Sequence, residues 1–373
     1  MYLLKNAKIF DEDIVDLLIV NDKIAKIDSN IHIDLDGLQV IDLGGQIVIP
    51  ALIDQHVHVT GGGGEGGMAT RCPELAIEDI LDAGVATIVG LLGTDSLTRS
   101  IENLVAKTKA LREYGFQAYC LTGAYQYPSP TITGSVMRDI AFIDEIIGVK
   151  IALNDHRSSH ISYEEMKRLA ADVRMAGLIA NKAGVVHIHM GIGKHGLKQV
   201  LDLIENENIP ASVFRPTHMF KHMEEGRKLA ELGTYVDFTT TEKYISSAKA
   251  VDEALRTYPE GRVTMSSDSN GSMPQWNDKN EIVGIKVARM TSLYGTVKSL
   301  VNDFGYSLRD ALAPCTVNVA KALNIYPKVG TIQEGSLANL LILDDKLDIK
   351  DFILNGQYVK KDYNNIMKIN FVN

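Results

Sequence analysis

The chain has 373 residues, and its 38 Lys and Arg against 47 Asp and Glu give a formal net charge of −9 at pH 7. A composition of 45% hydrophobic and 23% charged residues is typical of globular proteins and excludes disordered and collagen-like chains. No apolar run reaches the roughly 18 residues that span a bilayer, so we expect no integral membrane protein. The acidic balance also argues against nucleic acid as a partner, because that binding needs basic patches.

The cysteine content predicts a cytoplasmic protein. Cys72, Cys120 and Cys315 are too few and too scattered for a disulfide framework or a cysteine-based zinc site. The first residues contain no basic region followed by a long apolar stretch, so we expect no secretory signal. A reducing compartment is the natural setting for such a chain.

Both ends of the chain are rich in short runs with the composition of β-strands. Asn355-Gly356, within the last of these runs, has the form of a hairpin turn. We therefore predict that residues 1–50 and 329–373 together form one small β-sandwich domain. The predicted strands are Tyr2–Phe10, Asp16–Val20, Lys23–Ile27, Gln46–Pro50, Ser336–Leu343 and Phe352–Val359.

The middle of the chain, residues 51–328, alternates between apolar runs of strand length and stretches with helical periodicity. Arg99–Tyr114 repeats its apolar residues at helical spacing, and Ser162–Glu165 has the form of a capping box. This alternation predicts an α/β fold with a (β/α)8 TIM-type barrel. The eight predicted strands are Leu52–His58, Val85–Leu91, Phe116–Thr122, Ile147–Leu153, Val185–Met190, Ala211–Phe214, Tyr235–Phe238 and Val263–Ser267.

Histidines and an aspartate recur where these runs end, which is the end of a barrel strand that carries chemistry. His56 and His58 are two residues apart on a strand, so their side chains point to the same side and could share a metal. The alternative is a pair of histidines that only bond each other. The recurrence favours a metal site, although spacing alone does not choose between the two histidines of the fifth run. The other residues of this pattern are His187, His189, His218 and Asp268.

Lys150 interrupts the fourth apolar run, where an unpaired ammonium is costly to bury. The lysine could extend its head to water, or it could pair with Asp155 or Glu145. A third possibility is that its amine has reacted with CO2 to form a carbamate, an anion with two oxygens that can bridge two metals. The carbamate balances the charge of two divalent cations better than an ammonium does.

The metal-ligand pattern resembles that of the amidohydrolase superfamily, whose binuclear members hold two metals, usually zinc, in a barrel flanked by a small β-sandwich. The segments Val48–His58 and Gly330–Leu343 resemble the entry to the first barrel strand and the C-terminal return strand of that family. Finer segments resemble the isoaspartyl dipeptidases (β-aspartyl peptidases) within it. These segments are Thr60–Gly66, Gly90–Asp95, Leu121–Tyr125, Asp155–Ser159 and Arg215–His218.

This resemblance implies two Zn2+ per subunit and a hydrolase that cleaves the β-aspartyl bond of small dipeptides with a free amino terminus. It also implies a homo-oligomer, an octamer in the family. One zinc would bind His56, His58 and Asp268, and the other His189 and His218, with carboxylated Lys150 as the bridge. The resemblance also implies catalytic roles for Asp268, Tyr125 and Glu65. Further substrate contacts fall to Gly63, Thr94, Arg157, Lys221 and Ser272.

One position departs from the family pattern, because Lys221 stands where the dipeptidases have an arginine. Arginine offers a planar fork to a carboxylate, whereas lysine offers a point charge. The strict β-aspartyl preference is therefore less firmly implied than the metal chemistry. The alternative is another amidohydrolase of the dihydroorotase, hydantoinase or N-acyl-amino-acid deacylase type. A barrel that only binds ligands is disfavoured because every metal ligand of the pattern is present.

Overall fold

The computed structural model describes residues 1–277 and 282–370. Five strands open the chain: β1 (Tyr2–Ile9), β2 (Ile14–Val20), β3 (Lys23–Asp28), β4 (Gln39–Asp42) and β5 (Ile47–Pro50). Four of them match predicted runs to within about two residues. The short strand β4 was not predicted, and it is largely exposed and pairs in parallel with β1. Its four residues lack the buried alternation that identifies the other strands.

Eight strands then build the barrel: β6 (Leu52–Val57), β7 (Val85–Gly90), β8 (Gln117–Gly123), β9 (Ile146–Leu153), β10 (Val185–Met190), β11 (Phe214–Thr217), β12 (Val236–Thr239) and β13 (Val263–Ser266). Strands β6 to β11 form one parallel sheet in sequence order, and β12 and β13 form a parallel pair. A parallel bridge between Val57 and Ser269 brings the end of the series back to the first strand. The predicted (β/α)8 architecture is confirmed.

The prediction for the sixth barrel strand was wrong in its position. Ala211–Val213, predicted as part of the strand, is a 3-10 turn, and the strand begins only at Phe214. This strand contains Pro216, which has no N–H to donate to a neighbour. Proline is tolerated because β11 is the last strand of its hydrogen-bonded sheet and pairs with β10.

Helices cover the barrel, in chain order α1 (Ile77–Ala83), α2 (Ile101–Glu113), α3 (Val136–Phe142), α4 (Tyr163–Ala180), α5 (Lys198–Asn206), α6 (Met223–Glu231), α7 (Tyr244–Thr257), α8 (Ser292–Phe304), α9 (Leu308–Leu312) and α10 (Val317–Ala322). The predicted capping box opens α4, where Ser162 and Glu165 satisfy each other's backbone N–H groups. Helix α2 begins after Ser100, whose side chain accepts from the N–H of Asn103. Among the helices of the described ranges, none combines the length and apolarity needed to cross a membrane.

Two further strands follow β13 as an antiparallel hairpin, β14 (Ser272–Trp276) and β15 (Ile282–Val287). The last strands are β16 (Leu340–Leu343), β17 (Ile349–Leu354), β18 (Gln357–Lys361) and β19 (Asn364–Asn365). They join β1 to β5 in one nine-stranded sheet through an antiparallel pairing of β5 with β16. Both ends of the chain therefore build one β domain, as predicted.

The side chains of β16 alternate between two cores. Leu341 and Leu343 pack with the barrel, whereas Leu340 and Ile342 pack into the core of the β domain. The sheet thus rests on the barrel with one face and encloses its own core with the other. The predicted boundaries at residues 50 and 328 remain a prediction, and residues 371–373 of the last range lie outside the described residues.

Candidate metal centre and active-site cavity

A cavity of about 390 Å³ opens at the C-terminal ends of the barrel strands. Its volume is in the range of small-molecule sites. Its wall is part polar and part apolar, and it includes six of the predicted substrate contacts and three of the predicted metal ligands. It is lined by His58, Gly63, Glu65, Gly93, Thr94, Tyr125, His156, Arg157, His189, Asp268 and Ser272.

The floor of the cavity brings together His56, His58 and Asp268, whose ligand atoms all lie within 4.8 Å of one another. Oδ1 of Asp268 lies 3.2 Å from Nε2 of His56 and 3.1 Å from Nε2 of His58. This oxygen and Nδ1 of His58 are buried, and among the described residues neither has a hydrogen-bond partner. A buried carboxylate oxygen that receives no hydrogen bond and lies beside two imidazole nitrogens is what a cation site requires, so these three residues fit a metal.

The backbone at two of the predicted ligands is held in the left-handed region. Asp268 has φ +56° and His218 has φ +64°. This conformation costs a non-glycine residue about 1–2 kcal/mol, and such residues concentrate at functional sites. His218 directly follows β11, and Asp268 stands two residues beyond the end of β13, so both residues lie where barrel strands end, beside the cluster.

Lys150 is fully buried in β9, which excludes the interpretation that its head reaches water. The two predicted ion pairs do not form either, because Asp155 bonds Arg157 and Glu145 bonds Arg112. Nζ of Lys150 instead lies 3.5 Å from Nε2 of His56. Burial lowers the pKa of Lys150 to about 7. At neutral pH much of this amine is therefore uncharged, which is the form that reacts with CO2.

His187 and His189 both belong to the site, and their contacts separate their roles. His187 stands opposite Lys150 in the pairing of β10 with β9. Its Nε2 lies 2.9 Å from Nδ1 of His56, so His187 orients the ring of His56. His189 lines the cavity, with Nδ1 2.5 Å from the hydroxyl of Tyr125 and Nε2 3.0 Å from Oδ2 of Asp155. Burial lowers the pKa of His189 to about 4, so the ring is neutral at neutral pH.

His218 completes the histidine cluster. Its ring centroid lies 4.5 Å from that of His189 and 5.2 Å from that of His56. Nδ1 of His218 lies 2.5 Å from the hydroxyl of Thr239, which leaves Nε2 for another partner. The structure therefore gathers all six predicted ligands at one end of the barrel.

Glu65 projects from the glycine-rich loop onto the cavity wall. Its carboxylate accepts hydrogen bonds from the hydroxyls of Ser272 and Thr94. One guanidinium nitrogen of Arg157 lies 3.6 Å from Oε1 of Glu65. Burial raises the pKa of Tyr125 well above its ordinary value, so its hydroxyl remains a donor in this cavity.

The glycine-rich loop is shaped by close contacts with its neighbours. Gly63 has φ +82°, and a Cβ there would lie 2.4 Å from the carbonyl oxygen of Thr70. Buried Arg99, a residue that the sequence analysis did not single out, donates to the carbonyl oxygens of Thr60 and Cys72 and so fixes both ends of the turn. Across the cavity, a Cβ at Gly93 would lie 2.8 Å from the ring of His58. Glycine is required at both positions.

Lys221 is the one predicted substrate contact that the structure does not bring into the cavity. It ends the 3-10 turn Met219–Lys221 directly after His218 and is exposed. Its ammonium lies 5.9 Å from the ring centroid of the neighbouring Phe220. His156, by contrast, lines the cavity at its rim, where its side chain is 90% exposed.

Comparison with known proteins gives a consistent result. A β-aspartyl dipeptidase from Fervidobacterium islandicum AW-1, solved in complex with β-Asp-Leu, is 37% identical, with a TM-score of 0.93 and full coverage of both chains. An L-hydantoinase from Arthrobacter aurescens shares the fold at 16% identity and a TM-score of 0.69, over 98% of this chain and 97% of its own.

Curated sequences give more distant matches. Dihydroorotases from Bacillus cytotoxicus and Bacillus cereus are each 29% identical over 232 residues, which cover 57% of this chain. The chain thus aligns with only 50% of the length of these relatives. The sequence model of the amidohydrolase family matches residues 47–371, which include the whole barrel and the last strands of the β domain. The chain therefore belongs to the amidohydrolase family, a family of metal-dependent hydrolases.

Proposed function

We propose that this chain is a binuclear zinc hydrolase that cleaves the β-aspartyl peptide bond of dipeptides with a free amino terminus. The observation that carries the proposal is a pair of opposite charges on the cavity wall. Glu65 and Arg157 lie 3.6 Å apart, and both line the cavity beside the metal-ligand cluster. The 37% identity to a β-aspartyl dipeptidase over the full chain supports the same reading.

The charge pair matches the chemistry of the isoaspartyl residue. In a β-aspartyl dipeptide the free ammonium and the free α-carboxylate are attached to one carbon atom. Adjacent negative and positive groups are complementary to that arrangement. In an α-linked dipeptide the α-carboxyl group is consumed in the peptide bond, so the pair cannot be matched in the same way. We therefore assign Glu65 to the ammonium and Arg157 to the carboxylate, with Gly63, Thr94 and Ser272 completing the pocket.

The six predicted ligands are proposed to hold two zinc ions. His56, His58 and Asp268 would hold one, His189 and His218 the other, and Lys150 would bridge them as its CO2-derived carbamate. When bound, such a metal pair polarises a carbonyl group and lowers the pKa of a water molecule toward neutrality. Support comes from the unpartnered Oδ1 of Asp268 and from the uncharged amine of Lys150.

Two residues are proposed to act on the scissile amide. Asp268 lines the cavity and can accept a proton from the attacking water and deliver it to the leaving nitrogen. The hydroxyl of Tyr125 can donate a hydrogen bond to the carbonyl oxygen as negative charge develops there. A well-aimed donor of this kind contributes about 3 kcal/mol to the transition state.

Lys221 remains a predicted contact for a substrate carboxylate. Its position directly after the metal-ligand candidate His218 supports this role, and its exposed ammonium now lies beside the ring of Phe220. Lys221→Ala is then expected to raise KM several-fold. An unchanged KM would remove Lys221 from the substrate site.

A hydrolysis panel tests the proposed activity. Zinc-loaded protein is expected to cleave β-Asp-Leu much faster than α-Asp-Leu, and to lose cleavage when the amino group of β-Asp-Leu is acetylated. Metal removal by a chelator should abolish turnover, and zinc with bicarbonate should restore it. The dihydroorotase matches favour one rival, which predicts hydrolysis of dihydroorotate and no requirement for a free amine. Turnover of dihydroorotate alone would replace the proposal with that rival.

We also propose a cytoplasmic homo-oligomer, an octamer by resemblance to the dipeptidases. Three buried free cysteines suit a reducing compartment. Exposed apolar side chains on neighbouring helices α3 and α4 support association, namely Phe142, Met175, Leu178 and Ile179. Light scattering that returns the 40.9 kDa mass of one chain would contradict the oligomer.

A further inference from the structure

Asp155 lies between the proposed metal ligands and the residues proposed to bind the substrate, and it belongs to neither group. It follows the end of β9, is 7% exposed, and is not one of the six proposed metal ligands. Its carboxylate contacts two functional side chains from different elements: His189 from β10, and Arg157 from the loop that follows Asp155 itself. We propose that Asp155 is a positioning residue that holds the metal-ligating ring of His189 and the carboxylate-binding guanidinium of Arg157 in one fixed arrangement.

The contact with His189 determines which ring nitrogen is available for a metal. Nε2 of His189 lies 3.0 Å from Oδ2 of Asp155, and a carboxylate can only accept at that position. The hydrogen of the neutral ring therefore resides on Nε2, and Nδ1 presents its lone pair. The hydroxyl of Tyr125, 2.5 Å from Nδ1, can donate to that lone pair, so its position agrees with this tautomer. A carboxylate behind a metal-binding histidine fixes both its tautomer and its orientation.

The contacts with Arg157 determine which edge of the guanidinium faces the substrate. Oδ1 of Asp155 accepts from the backbone N–H and Nε–H of Arg157 at 2.8 Å each, and Oδ2 accepts from its second terminal nitrogen at 2.7 Å. Two nitrogens of the fork are therefore occupied. The remaining one, Nη1, is the nitrogen that approaches Glu65 at 3.6 Å. Arg157 thus presents a single edge at a fixed position rather than a mobile fork.

The role of Asp155 is to position its neighbours, and not to strengthen the binding of an anionic substrate. Its charge offsets that of Arg157, so a carboxylate introduced only to strengthen anion binding would not lie here. The benefit is that one rigid group sets the distance between the metal that activates the amide and the cation that grips the substrate. This inference rests on the proposed function for the role of Arg157, whereas its prediction for His189 requires only that the chain binds metal.

The test uses Asp155→Asn in the full-length protein, which keeps the size of the side chain and removes the second acceptor oxygen. Chelator competition, with no substrate present, is expected to show the weaker zinc site losing about 10- to 100-fold in affinity. With zinc saturating, kcat/KM for β-Asp-Leu is expected to fall about 100-fold, because a displacement of about 1 Å in a positioning group costs that much. Zinc affinity within twofold of the wild type would overturn the proposal.

Two comparison variants isolate the effect. Glu145→Gln removes a buried carboxylate at the other end of β9 that pairs with Arg112, and it should lower Tm while leaving zinc affinity and KM unchanged. Arg157→Lys should raise KM with zinc affinity intact. Equal loss of zinc in Glu145→Gln would show that Asp155 acts only through general stability and would overturn the proposal.

A measurement on the unmutated protein decides the matter if Asp155→Asn does not fold. In metal-free, 15N-histidine-labelled protein, two-bond nitrogen–proton correlations report which ring nitrogen of each histidine carries hydrogen. The signal of His189, identified by its loss in His189→Gln, is expected to be the Nε2–H tautomer. An Nδ1–H tautomer would refute the assignment whatever the substrate of the enzyme proves to be.

Discussion

Replacing Lys150 with methionine is expected to stabilise the metal-free protein while destroying the metal site. The side chain of Lys150 is fully buried, no carboxylate within residues 1–277 or 282–370 forms an ion pair with it, and burial lowers its pKa from 10.5 to about 7. One pKa unit corresponds to about 1.4 kcal/mol, so this shift amounts to a penalty of up to about 5 kcal/mol at pH 7 and below. Methionine has a similar shape and needs no solvation.

The pH dependence of that penalty follows from linkage. Between about pH 7 and 10.5 the unfolded chain binds a proton at Lys150 that the folded chain has released, so the stability of the wild type rises with pH in this window. The advantage of Lys150→Met is therefore largest at or below pH 7 and disappears near pH 10.5. Urea unfolding in chelator and CO2-free buffer at several pH values measures it.

The matched control is the same substitution at a lysine whose ammonium has hydrogen-bond acceptors. Lys182 donates to the carbonyl oxygens of Ile140, Ile143 and Ile146 at 2.7, 2.7 and 3.1 Å. Lys182→Met should therefore destabilise the protein, by about 1–3 kcal/mol. The reasoning is refuted if Lys150→Met is no more stable than the wild type at pH 7, or if its advantage does not change with pH.

Three further substitutions test the cavity. Asp268→Asn should lower kcat by about 10³-fold or more in a folded protein, and near-normal turnover would exclude a proton-transfer role. Glu65→Gln should raise KM for β-Asp-Leu by about 10- to 100-fold with zinc content unchanged, whereas exposed Glu74→Gln should leave KM as it is. Gly63→Ala should lower kcat/KM about tenfold or more because its Cβ meets a backbone carbonyl, whereas Gly67→Ala, also at positive φ but with open space, should not. An equal effect in both glycine variants would point to backbone strain instead of the contact.

The barrel could be predicted from the sequence because strands buried on both faces produce continuous apolar runs, and polar residues that interrupt or end such runs are conspicuous. Lys150 and the His56–His58 pair were found in this way. Asp155 was not assigned its role, because its two partners come from different strands and only tertiary structure brings them together. Arg99 was missed for the same reason, since a buried arginine that bonds backbone carbonyls has no sequence pattern.

The different roles of His187 and His189 could also be told apart only from the structure. Both face the same side of β10, and only the distance from His187 to His56 shows which of them supports a neighbouring ring. The sixth barrel strand was misplaced because the prediction followed the apolar run Ala211–Phe214, whereas the strand is Phe214–Thr217 and contains Arg215 and Pro216. Proline is compatible with that strand because β11 is the last strand of its sheet.

The antiparallel pairing of β5 with β16 joins segments that the entire barrel separates along the polypeptide. During synthesis β5 therefore cannot pair with β16 until the whole barrel and β16 itself have been made, and apolar side chains such as Val48 and Ile49 stay exposed until then. Because the pairing of β5 with β16 forms late, the period before it forms is the one in which nascent chains are most vulnerable to aggregation. A substitution that weakens the pairing of β5 with β16 would accordingly reduce the yield of folded protein more than the specific activity of the molecules that do fold.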